Sequence, residues 1–103
     1  MYASTGDLEL RFGEAELVAL TDRSDSGMYD DDFIGAAIAD ASAEIDSYIG
    51  ARYALPLPGT PPLLLRLCCD IARYRLYHDS PTEAVSTLYQ QAVRQLQAIA
   101  AGA

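Results

Sequence analysis

A chain of 103 residues, half of them apolar and 21% charged, is long enough for one domain with its own core and needs neither disulfides nor metal to fold. The formal net charge is −8 and every basic side chain is Arg, which excludes a broad surface that grips DNA regardless of sequence, since that takes several Lys or Arg on one face. Residues 1–50 carry 12 acids against 2 Arg and residues 51–103 carry 3 acids against 5 Arg, so the two halves have opposite balance.

Ser4 is a suitable N-cap for a short first helix, and Asp7, three residues on, completes a capping-box pattern. Leu8 and Phe12 lie four apart and share a face, and Gly13 suits the left-handed position that ends a helix. A second short helix is expected from Glu14 to about Leu20, with Glu14 and Glu16 favouring its positive end and Leu17, Val18 and Leu20 as its apolar contacts.

Residues 21–29 are polar, contain Gly27 and read as a turn. Asp22, Ser24, Ser26, Met28 (through its carbonyl) and Asp30 fall at the ligand positions of a calcium loop, with Gly27 at its sharp turn. The pattern breaks at the last ligand, where a bidentate Glu belongs and Phe33 stands, and two Ser replace carboxylates. A solvated acidic turn that caps the next helix is therefore the primary reading, with calcium as the alternative.

Asp30, Asp31 and Asp32 crowd the start of the third helix, where one can cap it and the others favour its positive end. Ile34, Ile38, Ala41, Ile45, Tyr48 and Ile49 recur at steps of three and four, the spacing of an amphipathic helix of about 20 residues. Gly50 and then Pro56 end it. The strip from Leu55 to Pro62 holds four of the five prolines. It reads as a stiff, extended connector, or as a docking loop that presents Leu55 and Leu57.

Pro61 or Pro62 suits the first turn of a fourth helix. Leu63, Leu64, Leu65, Leu67, Cys68, Ile71, Ala72 and Leu76 leave it few exposed sides, so it is the expected central helix. Arg66, Asp70 and Arg73 form its polar stripe, in which Asp70 can pair with either Arg or the stripe can face a neighbour. Cys68 and Cys69 are adjacent and point about 100° apart on a helix, so they read as two buried free thiols. Ser80-Pro-Thr-Glu83 reads as a capped start, with Ser80 as cap, Pro81 first and Glu83 closing a box. Val85, Leu88, Tyr89, Ala92, Leu96 and Ile99 then mark one face of a fifth helix, and the Ala101–Ala103 tail is expected to fray. No strand pattern or internal repeat occurs. The expected fold is a single all-α domain over residues 1–103, with three longer helices and two short N-terminal ones.

No nucleophile sits beside a base and no phosphate loop is present. The only histidine, His78, is accounted for by a helix C-terminus. An enzyme and a cofactor are therefore not expected. Leu63 to Leu76 is too short to span a bilayer and contains Arg66, Asp70, Arg73 and Arg75. With no signal-peptide pattern either, the chain is expected to act away from membranes and in the cytosol where it is made.

Several stretches in order resemble the head–tail adaptor family of Mu-like phages and prophages. They are Tyr2-Ala-Ser-Thr-Gly-Asp-Leu8, Arg11-Phe-Gly13, Leu20-Thr-Asp-Arg23 and Ala39-Asp-Ala-Ser-Ala-Glu-Ile-Asp-Ser-Tyr48, followed by Arg52-Tyr-Ala-Leu-Pro-Leu57, Pro61-Pro-Leu63, Cys69-Asp-Ile-Ala-Arg-Tyr-Arg-Leu76 and Pro81-Thr-Glu83. Thr5 stands where a proline is common, and the turn at Ser24 to Met28 is less acidic than in some relatives. The resemblance implies a small all-α connector without cofactor. It implies partners of three kinds: further copies in a dodecameric ring, the portal protein, and a tail or tail-terminator protein, with DNA only as passing cargo. The expected places are the host cytoplasm during assembly and the virion neck. A ring needs two different patches that meet. Leu55, Leu57, Arg66 and Arg73 are the interface candidates, and the seven Tyr among nine aromatics suit such use. The competing reading is a small calcium-binding or regulatory interaction module, which would be encoded away from phage structural genes.

Overall fold

The first helix, α1 (Thr5–Phe12), begins where Ser4 accepts the Asp7 N–H and the Asp7 carboxylate accepts the Ser4 N–H at 2.9 Å, the reciprocal box expected. The computed structural model describes residues 1–78 and 80–102. Gly13, at φ 90, ends α1 and opens α2 (Glu14–Thr21) in a single residue, a conformation that side chains with a β-carbon resist. The Asp30 carboxylate accepts from the Asp32 and Phe33 N–H groups and caps α3 (Asp31–Ile49). A proline-rich strip then leads to α4 (Pro62–Leu76), and α5 (Glu83–Ala101) completes the chain. Among the described residues there is no strand, and no helix is long and apolar enough to cross a membrane.

The start of α5 differs from the sequence expectation. Thr82, not Ser80, is the cap: its hydroxyl accepts the Val85 N–H at 3.2 Å. The Ser80 N–H donates to the Tyr77 carbonyl in the turn that closes α4, so Ser80 and Pro81 stand outside the helix. Both hydroxyls are eligible caps, and the turn that carries Ser80 back to Tyr77 moves the helix start on to Thr82. The final residue of the Ala101–Ala103 tail lies outside the described residues.

The three longer helices pack on one another, and α1 packs across the α3–α4 pair with α2 beside it. The α4 helix is the central one, burying Leu64, Leu67, Cys68, Cys69, Ile71, Ala72 and Leu76. From α3 come Ile34, Ile38, Ala41, Ile45 and Ile49, and α1, α2 and α5 add Leu8, Leu17 and Leu96. Each fully buried Leu or Ile stabilises the fold by ~1.5–3 kcal/mol relative to exposure. Both cysteines are buried and free. Burial pushes both thiols up, Cys69 to about 12, so they pack as small apolar groups.

Polar groups tie the helices at a few points. Arg73 of α4 makes two hydrogen bonds of 2.8 Å to the Glu16 carboxylate of α2, and its guanidinium lies 4.3 Å over the Phe12 ring. Glu44 of α3 accepts from Arg75 of α4 and Tyr89 of α5. Buried Thr21 donates to the Leu17 carbonyl and accepts the Asp30 N–H at 2.8 Å, which fixes the end of α2 to the start of α3. The expected pairing of Asp70 with Arg66 or Arg73 is not formed: Arg73 reaches across to Glu16, a partner the stripe of α4 alone does not reveal.

Candidate interaction surface around the proline strip

The strip runs between two concave surfaces and forms part of both. Leu57 lines each of them and packs on the core from a half-buried position. Leu55 is 39% exposed and Tyr53, at the foot of the strip, is 51% exposed. The Leu55–Pro56 peptide bond is cis.

On one side a groove of about 590 Å³ opens between the strip, α3 and the N-terminal segment, with Tyr2, Ala39, Asp46, Leu55 and Thr60 on its walls. Its floor is polar and already internally paired. The Tyr2 phenol donates to the Asp46 carboxylate, and the Tyr2 N–H donates to the Ser42 hydroxyl at 3.2 Å. Burial, and then the neighbouring Asp46 carboxylate, push the Tyr2 phenol up to about 12.

On the other side a groove of about 340 Å³ lies where α3, α4 and α5 converge, lined by Ile49, Tyr53, Leu57, Leu63 and Ile99. These walls are aliphatic and aromatic. Arg52 stands nearby, exposed, with its guanidinium against Gly102 at the C-terminal end of α5. A cation there complements the negative end of the helix.

The other residues singled out from the sequence lie elsewhere. Arg66 is exposed beside α5, where it shares a shallow depression with Asp70, Leu88 and Gln95. Arg73 is held by Glu16 and Phe12 on the α2 side. These two interface candidates therefore do not join Leu55 and Leu57 in one patch. Two residues that the sequence reading passed over belong among the surface candidates: Tyr53, which sits in a segment without helical periodicity, and Leu10, which is 88% exposed on α1. Leu10 lies about 200° around the helix from buried Leu8, and that spacing was the available signal.

In the acidic turn, the Asp22 carboxylate accepts from the Ser26 and Gly27 N–H groups at 3.1 and 2.8 Å, and these bonds hold its pKa below the usual carboxylate range. Ser26 donates toward the Met28 carbonyl, Ser24 is exposed, and the Asp30 carboxylate faces the N-terminus of α3. Among the described residues no group of three or more His, Cys, Asp or Glu converges as a metal site. The Asp22 carboxylate serves the turn's own backbone and the Asp30 carboxylate serves the start of α3.

Across residues 2–103 the chain matches the family described as Bacteriophage Mu, Gp36. It is 40% identical over 102 residues to Gene product J of Escherichia phage Mu, an alignment covering 98% of this chain and 72% of that protein. It is 36% identical over 103 residues to Mu-like prophage FluMu protein gp36 of Haemophilus influenzae, covering 100% of this chain and 73% of the relative. Matching the family along nearly its whole length, with two relatives 40% and 36% identical, the chain belongs to the bacteriophage Mu Gp36 family.

Proposed function

We propose that the chain is a structural head–tail connector subunit that assembles as a ring between portal and tail. The observation that carries this reading is the apolar surface left over around the proline strip. Exposed Tyr53 and Leu55 flank two grooves that share Leu57, in a chain of a phage family. An exposed apolar patch on a small domain, such as the one around Tyr53, Leu55 and Leu57, marks a place where another protein sits. In this reading the subunit performs no chemistry and holds no cofactor. It contacts its own copies, the portal and a tail or tail-terminator protein, works in the host cytoplasm during assembly and ends in the virion neck. The excess of acids keeps DNA passing through the ring from adhering to its wall.

Native mass spectrometry of the chain with and without the portal protein of the same phage tests this. The expected result is a closed oligomer, formed alone or on the portal. A strict monomer that also fails to bind the portal overturns the reading.

A further inference from the structure

The proline strip is fastened to the domain chiefly by one side chain. We infer that it is a strap latched by Leu57, whose release joins the two grooves and uncovers the core residues Ile49 and Leu64. The motion belongs to the free chain, and only its use in assembly rests on the connector reading.

Main-chain bonding stops at both ends of the strip. The Tyr53 N–H donates to the Ile49 carbonyl, and the next bond along the chain runs from the Leu65 N–H to the Pro61 carbonyl. Between them, residues 54–60 form no main-chain hydrogen bond with any described residue, and Thr60 alone among them has a polar side chain. Pro56 and Pro58 have no N–H to offer. The N–H groups of Ala54, Leu55, Gly59 and Thr60 belong to exposed residues, where water serves them.

The apolar fastening is equally sparse. All of residues 54–60 are exposed except Leu57, which is half-buried and packs on the core. Leu55 adds a lighter contact. One of its methyl groups lies 3.3 Å from where a β-carbon on Gly50 would stand, yet the residue stays 39% exposed. At Gly59 a β-carbon would meet nothing within 4 Å, so the strip has no packing there. Pro56 and Pro58 stiffen the middle, and the small residues Ala54 and Gly59 flank it, so the strip moves as one piece. A segment with an unbonded backbone and few buried contacts opens locally, at a small part of the cost of unfolding the domain.

Leu57 is also the one residue of 54–60 that lines both grooves, so its side chain forms the partition between them. Ile49 of α3 and Leu64 of α4 line the apolar groove and are only 2% and 5% exposed. With Leu57 withdrawn, the groove over Tyr2 and Asp46 runs on into the apolar one, and Ile49 and Leu64 meet solvent. With Leu57 seated, the free chain limits the exposed apolar area that drives association.

The test is thiol alkylation. Ile49→Cys and Leu64→Cys each place a thiol behind the latch, on different helices. Native Cys69 is 0% exposed and, in the same chain, reports opening of the whole domain. Each variant is treated with iodoacetamide in urea below its unfolding transition, and tryptic peptides are followed by mass spectrometry. A slow reagent reads the open fraction at each thiol. The introduced thiols should react at least about 100-fold faster than Cys69, with little dependence on urea, because a local opening exposes little surface. Adding Leu57→Ala should speed either one about tenfold, the factor for losing roughly half the burial of a leucine. If one variant fails to fold, the other decides. Introduced thiols that react as slowly as Cys69, or that ignore Leu57→Ala, overturn the strap. Fast reaction in Leu64→Cys but not in Ile49→Cys is fraying of α4 and also overturns it. The connector reading stands or falls separately, on native mass spectrometry with the portal.

Discussion

Glu44 joins three helices, and its two bonds rank differently by distance and by burial. Its Oε1 accepts from Arg75 at 2.6 Å and its Oε2 accepts from the Tyr89 phenol at 3.0 Å. Distance favours the ion pair. The Arg75 side chain, however, is 44% exposed, whereas Glu44 is 15% exposed and Tyr89 is half-buried, stacked on Tyr74 at 4.0 Å between ring centroids. Exposed ion pairs contribute about 0.2–1 kcal/mol because water screens them and long side chains lose freedom. A hydrogen bond to a charged group contributes about 1.5–3 kcal/mol when shielded. Discounting for partial exposure, Tyr89→Phe should cost about 1.5 kcal/mol and Glu44→Ala about 2 kcal/mol. The Glu44–Tyr89 coupling in a double-mutant cycle should be about 1 kcal/mol, and the Glu44–Arg75 coupling no more than about 0.5 kcal/mol. Urea unfolding followed by circular dichroism measures both, provided the denaturant slope is unchanged. If the Arg75 coupling equals or exceeds that of Tyr89, burial is the wrong guide and the reasoning fails.

Thr82→Ala should cost about 1 kcal/mol by removing the cap of α5, whereas Ser80→Ala should change little; thermal melts of the two variants decide, and the reverse order would restore Ser80 as the cap. Burial and Asp46 raise the Tyr2 phenol from 10.0 to about 12, so the unfolded chain ionises first and stability should fall as pH rises from about 10 to 12. Tyr2→Phe should remove part of that fall in alkaline denaturation, though not all, because hydrogen bonding to Glu9 and burial also raise Tyr29 and Tyr89 respectively. Burial raises the Asp70 carboxyl, with Arg66 opposing it, so the folded state holds that proton more tightly and is penalised once the group ionises. Asp70→Asn should therefore raise the melting temperature at neutral pH, with the gain shrinking as the pH falls toward about 4 and absent below it. Millimolar calcium should leave the melting temperature unchanged, because Asp22 and Asp30 already serve backbone donors; a calcium-induced rise that Asp22→Ala abolishes would reinstate the metal loop.

Local chemistry made most of the fold legible. The Ser4 box, the Gly13 break, the Asp30 cap and the first-turn proline of α4 each depend on residues within a few positions of one another, and each stands where the sequence puts it. The start of α5 was misread for the same local reason: Ser80 and Thr82 are both eligible hydroxyls, and the turn from Tyr77 to Ser80 that moves the start to Thr82 has no local sequence signal. Arg73 shows the limit more sharply. Its spacing from Asp70 suggests a partner one turn away, yet Glu16 lies 57 positions earlier and is brought alongside by the packing of α2. Periodicity says which face of a helix is polar and is silent on what that face meets.

The candidate surface was half legible. Leu55 and Leu57 stand out because they alternate with prolines in a strip too stiff to bury both. Tyr53 does not stand out, because exposure is a tertiary property and Tyr is also a core residue type, whereas Leu10 is marked only by its spacing from Leu8. Charge behaves in the same way. The chain's acids look like a large reserve for pairing with a neighbour, but the fold uses many of them. Asp7, Asp22 and Asp30 hold helix starts and the acidic turn, while Glu9, Glu16, Glu44 and Asp46 hold Tyr or Arg partners. The acids left exposed and uncommitted include Glu14, Asp31, Asp32 and Asp40, against Arg11, Arg52, Arg66 and Arg94. Exposed pairs between such groups contribute only tenths of a kcal/mol each and are screened beyond about 10 Å. In the ring proposed above, then, apolar fit would carry the affinity and charge would set only which face meets which.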